Sequence, residues 1–269
     1  MNEPPLPDDP QVPGDPAVPD DPPWAEDRVH GTSAAEAFPV PVSVLESGVL
    51  LVWTLLAQFV VAVPVIGLGL VDPADGPALV GVAIASQTVA LAGILAWLSG
   101  RGRLSWRLLG PRRPRTGHLL VGVVVGVGSF VGISLLLAAL ISLTGPVEGP
   151  DQELLSQAAS GGLATVLAVV AAVVMAPVLE ELVFRGLLFQ SLHRRVGLWP
   201  AALLSALFFA SVHVEVTQPL YSGGLFLLGV GFAIALARTG SLLVPIAAHA
   251  AFNATTITLA LAAERFEVA

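Results

Sequence analysis

Two adjacent carboxylates and a guanidinium lie inside a stretch of the chain that is otherwise soluble in lipid. Glu180, Glu181 and Arg185 follow the apolar run Leu163–Met175, and the sequence stays apolar after them as far as Phe189. A charge near the centre of a bilayer costs about 2.5–3.5 kcal/mol on insertion scales, so such charges usually mark functional sites. Glu181 and Arg185 are i,i+4 neighbours that can neutralise each other as a structural ion pair. That pairing leaves Glu180 without a partner, and we predict a functional site there.

Three further polar side chains lie in apolar runs downstream of the glutamates. His213 ends the run Phe208–His213, and His249 is followed one helical turn later by Asn253. A single buried histidine is more often a packing residue than a catalyst. Two histidines with an unpaired glutamate and an asparagine favour a shared site, since polar groups within a membrane must find partners.

The composition is that of an integral membrane protein. Of the 269 residues, 55% are hydrophobic and 12% are charged, whereas soluble domains carry about 25% charged residues. The mean hydropathy is +0.82. The chain has no cysteine, which excludes disulfides, thiolate catalysis and cysteine metal sites.

The predicted fold is all-α: a polytopic transmembrane bundle of about seven helices behind a disordered tail. A membrane-spanning helix needs about 20 apolar residues. Seven apolar runs follow one another, at Ser47–Leu70, Pro77–Leu98, His118–Leu143, Gly161–Phe189, Leu198–Val214, Leu220–Ala237 and Leu242–Ala263. Pro177 should kink the fourth helix just before the glutamates. Two small-residue motifs in the third, Gly122-xxx-Gly126 and Gly128-xxx-Gly132, predict close helix packing.

The N-terminal segment differs sharply from the rest of the chain. Residues 1–42 contain eleven of the 22 prolines, interleaved with aspartate and glutamate. Such a segment cannot bury enough apolar surface to offset its ordering entropy, so we expect a disordered tail. We therefore divide the chain into this tail and an intramembrane domain, residues 43–265.

The arginines indicate the orientation of the bundle. Six lie between the second and third helices, two follow the fourth and one follows the sixth. By the positive-inside rule, these loops and the tail are cytoplasmic, and the C-terminus is extracytoplasmic. We expect a multi-pass protein of the plasma membrane. The absence of lysine, with abundant alanine, valine, glycine and proline, favours a bacterial source.

The polar side chains lie at similar depths along the predicted helices. At about 1.5 Å per residue, Glu180 and His213 are roughly 20 and 22 Å from the cytoplasmic ends of their helices. His249 and Asn253 are roughly 12 and 18 Å deep, and their spacing of four places them on one helix face. The four groups can therefore converge.

The chemistry that suits these groups is the activation of water. A carboxylate in an apolar environment can act as a general base, and an adjacent histidine can orient or deprotonate the same water. A second histidine and an asparagine amide supply donors for the oxyanion of a tetrahedral intermediate. Glu180, His213 and His249 could instead hold Zn²⁺, whose bound water ionises near pH 7. The residues leave both mechanisms open.

At these positions the sequence resembles the CAAX protease and bacteriocin-processing (CPBP) family of intramembrane proteases, which is related to the type II CAAX prenyl endopeptidases. The family motifs appear in order as Glu180-Glu181-x-x-x-Arg185, Phe209-x-x-x-His213 and His249-x-x-x-Asn253. The resemblance covers about Ala176–Asn253. It implies that Glu181 pairs with Arg185 to hold the fourth helix in place.

The resemblance also implies a role for each remaining motif residue. Glu180 is similar to the family's water-activating glutamate, assisted by His213, while His249 and Asn253 resemble its oxyanion-side pair. The family has been described both as zinc metalloproteases and as metal-free glutamate proteases, so Zn²⁺ stays an open cofactor. The site is expected to open to the cytoplasm.

The predicted function is an intramembrane endopeptidase that acts on a peptide or a membrane protein. We expect the protein to lie in the lipid bilayer and to have no nucleic-acid partner. Its oligomeric state is left open. One alternative is an inactive scaffold or a bacteriocin-immunity protein with the same fold. Another is a small transporter with a proton relay, although no inverted repeat is evident between the two halves.

Overall fold

A computed structural model describes residues 42–72, 74–109, 115–145, 162–213 and 219–267. The predicted disordered tail, residues 1–42, lies outside the described residues except for its last one. Within the described ranges the chain is helical and contains no strand. The predicted all-α fold is therefore confirmed for the described residues.

Each of the seven predicted apolar runs corresponds to a helix. They are α1 (Val44–Gly67), α2 (Gly76–Gly100), α3 (Thr116–Thr144), α4 (Gly162–Val196), α5 (Leu198–Ser211), α6 (Pro219–Thr239) and α7 (Leu243–Glu267). Among the described residues, six of these helices are long and apolar enough to cross a membrane, and α5 is not. With 14 residues, α5 is only about 21 Å long at 1.5 Å per residue.

The early end of α5 corrects the predicted fifth span, Leu198–Val214. The ring of His213 turns back onto the end of the helix, where its Nδ1 lies 2.7 Å from the carbonyl oxygen of Phe209. The last carbonyls of a helix lack intrahelical partners, so this contact caps α5 and satisfies one of them. A functional histidine thus stands where the helix stops.

The helix that carries the glutamates departs from regular α geometry on both sides of them. Two π-helical segments, Val170–Met175 and Leu182–Phe189, flank the α-helical turn Ala176–Glu181. Pro177 has no N–H group for the helical ladder, and the wider turn before it accommodates the missing bond. A π segment, a feature frequent at functional sites, therefore directly precedes the turn that contains Pro177, where the kink is predicted.

The second half of α4 forms the centre of the bundle. Every residue from Glu181 to Ser191 is buried, although this stretch includes two charges. Helices α1, α2, α5, α6 and α7 all pack against α4. One polar contact in this packing is the hydroxyl of Ser47 on α1, which donates to the Leu187 carbonyl at 3.2 Å. Because α4 is central, its side chains can contact groups on several neighbouring helices.

The two packing predictions made from the small-residue motifs of α3 have different outcomes. A Cβ added at Gly122 would lie 2.5 Å from the Cβ of Ala247, and one added at Gly126 would collide with the backbone of Ala248. The predicted close packing of this motif is confirmed, and it holds α3 against α7. For Gly128 and Gly132, no described atom lies within 4 Å of an added Cβ. The second prediction is wrong because those glycines face away from the other described helices.

The arginine-rich segment after α2 packs onto the ends of two other helices. Arg103 forms an ion pair of 2.7 Å with Glu46, in the first turn of α1. A 3₁₀-helix follows at Trp106–Leu109, and the Leu109 carbonyl accepts a hydrogen bond of 2.6 Å from Leu242, just before α7. The start of α7, and with it the depth of His249, is therefore anchored to this segment.

Candidate active site

Three of the predicted site residues meet around one carboxylate oxygen. Oε2 of Glu180 lies 3.6 Å from Nε2 of His213 and 4.0 Å from Nε2 of His249. These side chains come from the middle of α4, the end of α5 and the second turn of α7. Both separations exceed a direct hydrogen bond. Oε2 is buried and has no hydrogen-bond partner among the described residues, so a water molecule between the three atoms requires the side chains to move slightly apart.

The backbone contact of His213 determines which ring nitrogen faces the glutamate as an acceptor. A carbonyl oxygen only accepts, so the Nδ1 that lies 2.7 Å from the Phe209 oxygen carries a hydrogen. In the neutral ring, Nε2 therefore has the lone pair and points towards Glu180. This arrangement suits a group that takes or orients a proton of water held by Glu180.

The site has one accessible side and one closed side. The side chains of His213 and Glu180 are 35% and 21% exposed, whereas that of His249 is 6% exposed and those of Glu181 and Arg185 are fully buried. A substrate can therefore approach Glu180 from the His213 side, while the buried ion pair of Glu181 and Arg185 closes the opposite side of the site.

The predicted ion pair between Glu181 and Arg185 is present on this closed side of the site. Nη1 of Arg185 lies 3.0 Å from Oε1 of Glu181, and the guanidinium carbon lies 4.4 Å from the centre of the Phe209 ring. A desolvated cation over an aromatic face gains about 2 kcal/mol. Among the described residues, Nε and Nη2 of Arg185 have no hydrogen-bond partner, so the aromatic contact offsets part of the cost of burying them.

Phe209 links the two parts of the site. Besides its contact with Arg185, its ring centre lies 4.8 Å from that of His213 and 5.9 Å from that of His249. The ring is almost completely buried, with 1% exposure. This motif residue therefore packs against both histidines and the guanidinium at once.

Two residues on α6 contribute to the site without having been predicted from the sequence. Phe232 is fully buried, and its ring centre lies 5.5 Å from that of His249 and 5.5 Å from the guanidinium carbon of Arg185. Gly229 lies one turn earlier and leaves space for the same guanidinium. Neither carries a charge, and both lie in an unbroken apolar run. The only available signal was their spacing of three, which places a glycine and an aromatic ring on one helix face.

We expect Gly229→Ala to destabilise the protein. The added Cβ would lie 2.9 Å from the Cβ of Ala206 and 3.0 Å from Nη2 of Arg185, so α5 or the guanidinium must move. Overpacking of this kind costs about 1–3 kcal/mol in unfolding free energy, measurable by equilibrium unfolding in mixed micelles. The matched control is Gly231→Ala on the same helix, where no described atom lies within 4 Å. Equal losses in both variants would contradict this explanation.

Asn253 contacts a different part of α4 from the other site residues. Its Nδ2 donates a hydrogen bond of 2.8 Å to the carbonyl of Ala172, within the first π segment. Among the described residues its amide bonds to this backbone group and not to Glu180 or to either histidine. An asparagine amide has two N–H donors, so this bond leaves one for another acceptor.

The three candidate ligands of the zinc ion that the family resemblance allows lie slightly farther apart than ligands around bound zinc. Within the described ranges, no group of three or more His, Asp or Glu side chains is arranged to hold a metal ion. The two Glu180–histidine separations, 3.6 and 4.0 Å, exceed the spacing of about 3.4 Å between ligands that surround zinc tetrahedrally at about 2.1 Å. The side chains of Glu180, His213 and His249 would have to move closer together to bind zinc.

Comparison with known proteins supports the family resemblance. Residues 162–255 match the family model "Type II CAAX prenyl endopeptidase Rce1-like", a range that contains all three motifs. The chain is 33% identical over 85 residues to "Putative membrane peptidase YdiL" of Bacillus subtilis (strain 168), which covers 32% of this chain and 34% of that protein. It is 34% identical over 85 residues to "Uncharacterized 24.3 kDa protein" of Escherichia coli, covering 31% and 38%.

These matches are partial on both sides. The alignments span only about a third of the length of each of these curated relatives, and no solved structure matches the chain significantly. The resemblance to CPBP proteases is confirmed for the segment that carries the site. Together with the six candidate membrane spans among the described residues, this similarity indicates a multi-pass membrane protein related to membrane proteases.

Proposed function

We propose that this chain, whose residues 162–255 match the Rce1-like family model, is an intramembrane endopeptidase that hydrolyses a peptide bond with water activated by Glu180. The observation that carries the proposal is the meeting of Glu180 with the Nε2 atoms of His213 and His249 at 3.6 and 4.0 Å. A partly accessible carboxylate beside two histidines is the arrangement that general-base hydrolysis needs.

The proposed reaction begins with water held between Glu180 and His213. Glu180 takes one proton as the water oxygen attacks the peptide carbonyl carbon, and the carbonyl electrons move onto oxygen to form a tetrahedral oxyanion. The oxyanion lies on the side of His249 and Asn253, where the free N–H of the Asn253 amide donates to it and the Nε2 edge of His249 faces it. When the carbon–nitrogen bond breaks, the proton held by Glu180 passes to the leaving amine, and the carboxylate is restored.

We further propose that the site opens to the cytoplasm, and that the N-terminus lies on that side. The arginine-rich segment after α2 supports this orientation, since it packs on the start of α7, about two turns before His249. The chain has no cysteine, so single reporters can be introduced. A membrane-impermeant maleimide should label Ala74→Cys in intact cells and Leu104→Cys only after permeabilisation; the reverse pattern would overturn the orientation.

The proposed activity is tested in cells that depend on this chain. Membrane proteomes are compared between cells that make the wild-type chain and cells that make Glu180→Gln at equal abundance. An uncleaved precursor should accumulate only with Glu180→Gln, and its identity would define the substrate. Identical proteomes, with the cellular phenotype retained by the variant, would leave the inactive scaffold or immunity protein as the explanation.

Zinc dependence is tested separately, with the purified protein. Elemental analysis gives the metal content per chain, and activity is measured before and after chelation and after metal is added back. The metal-free mechanism requires that activity persists without bound zinc. Stoichiometric zinc, with activity lost on chelation and restored by zinc, would instead show that the reaction depends on zinc.

A further inference from the structure

Glu181 contacts more than the arginine with which it pairs. The same oxygen, Oε1, lies 3.0 Å from Nη1 of Arg185 and 3.0 Å from Nδ1 of His249. All three side chains are buried. Glu181 therefore joins α4 to α7, across 68 residues of sequence, at the position where α7 supplies a histidine to the site.

This contact determines the state of the His249 ring. A carboxylate that pairs with a guanidinium is ionised and only accepts hydrogen bonds, so Nδ1 of His249 carries a hydrogen. Nε2 is then the nitrogen that faces Glu180, at 4.0 Å. A carboxylate bonded to the far nitrogen of a histidine is a common way to hold the ring in one tautomer and one orientation.

Aromatic neighbours restrict the ring further. The ring of Phe232 lies at 35° to the His249 ring, with centres 5.5 Å apart, and Phe209 meets it edge-on at 5.9 Å. Rotating the ring to exchange Nδ1 and Nε2 would break the bond to Glu181 and disturb both contacts. Packing and hydrogen bonding therefore favour the same orientation.

We propose that Glu181 is a positioning residue that holds His249 in the Nδ1–H tautomer with Nε2 turned towards Glu180. The catalytic consequence rests on the proposed function, whereas the tautomer does not. In this orientation Nε2, 4.0 Å from Oε2 of Glu180, is held beside the carboxylate that activates water, and Glu181 fixes its position relative to the attacked carbonyl.

The tautomer can be measured without any substrate. The full chain, labelled with ¹⁵N-histidine, is placed in lipid nanodiscs, and the His249 signals are assigned by their loss in His249→Gln. The ring ¹⁵N shifts should show hydrogen on Nδ1 of His249 in the wild type. In Glu181→Gln the amide can donate to Nδ1, so the population with hydrogen on Nε2 should rise, while Glu181→Asp should retain the wild-type pattern. His213 is an internal control, because its Nδ1 bonds to a backbone carbonyl that these substitutions leave in place.

Kinetics then separate positioning from general structural support. In Glu181→Gln, kcat should fall by roughly 10²–10⁴-fold, the upper value matching loss of the correct tautomer in a serine-protease triad. KM should change less than about threefold, because Glu181 does not touch substrate, and Glu181→Asp should restore part of kcat. A wild-type His249 without hydrogen on Nδ1, or an unchanged tautomer in a folded Glu181→Gln, would overturn the positioning role. Absence of peptidase activity in the wild type, with the tautomer as expected, would instead refute the proposed function alone.

Discussion

Replacing Glu180 by glutamine should reduce peptide hydrolysis by about 10²–10⁴-fold, the range expected when a general base is lost. Glutamine has nearly the same shape but cannot accept a proton from water at neutral pH. The side chain lies beside the two histidines without a hydrogen bond to either among the described residues, so the substitution should leave the fold intact. Cleavage of a fluorogenic peptide library by the purified protein in liposomes measures the loss.

A matched control is available elsewhere in the chain. Glu46 has a side chain 24% exposed, close to the 21% of Glu180, but it lies in the first turn of α1 and pairs with Arg103. Glu46→Gln should therefore retain most of the activity. Both variants should show the unfolding transition of a folded protein. A folded Glu180→Gln with wild-type cleavage would remove the central element of the proposed mechanism.

The sequence indicated where the polar side chains lie because charge within an apolar run is expensive and therefore informative. Glu180, His213, His249 and Asn253 were expected at similar depths, and the structure places the first three around a single oxygen, whereas Asn253 bonds to Ala172. Depth follows from rise per residue, which changes little between helices. The prediction of convergence thus needed only positions along the helices, without knowledge of how each helix is rotated.

The sequence pattern could not predict how each helix is rotated about its own axis. One additional residue in a helical turn rotates the downstream part of the helix by about 100°, and α4 has π segments on both sides of the glutamates. The face presented by Glu181 was therefore not readable from α-helical periodicity. Its bond to His249 depends on this rotation and on the packing of α7, so only its i,i+4 pairing with Arg185 was predicted.

The packing of Phe232 and Gly229 on α6 against the site could not be predicted from the sequence for a related reason. In a membrane protein, an apolar residue suits both lipid and the interior, so its type does not distinguish an outward from an inward face. Phe232 and Gly229 are inward, whereas Leu227 on the same helix is 46% exposed. The length of α5 was missed because Val212 and Val214 continue the apolar pattern after the helix has ended at Ser211.

Removing the buried cation should have the largest effect on stability. Arg185→Met leaves the fully buried Glu181 without its guanidinium partner, and breaking a buried ion pair in this way costs about 3–5 kcal/mol. Equilibrium unfolding in mixed micelles gives the unfolding free energy. The exposed counterpart is Arg103, whose side chain is 40% exposed in its pair with Glu46. For Arg103→Met we expect a loss within about 1 kcal/mol, as for surface ion pairs.

The double variant Glu181→Gln/Arg185→Met tests whether charge or volume is responsible. If the cost arises from an uncompensated carboxylate, removing that charge as well should recover part of the stability, and the two substitutions will be strongly non-additive. Arg185→Lys keeps the charge but loses the planar group that stacks on Phe209, so an intermediate loss is expected. Additive losses in the double variant would show that Arg185 stabilises the bundle by filling space between α4, α5 and α6, independently of Glu181.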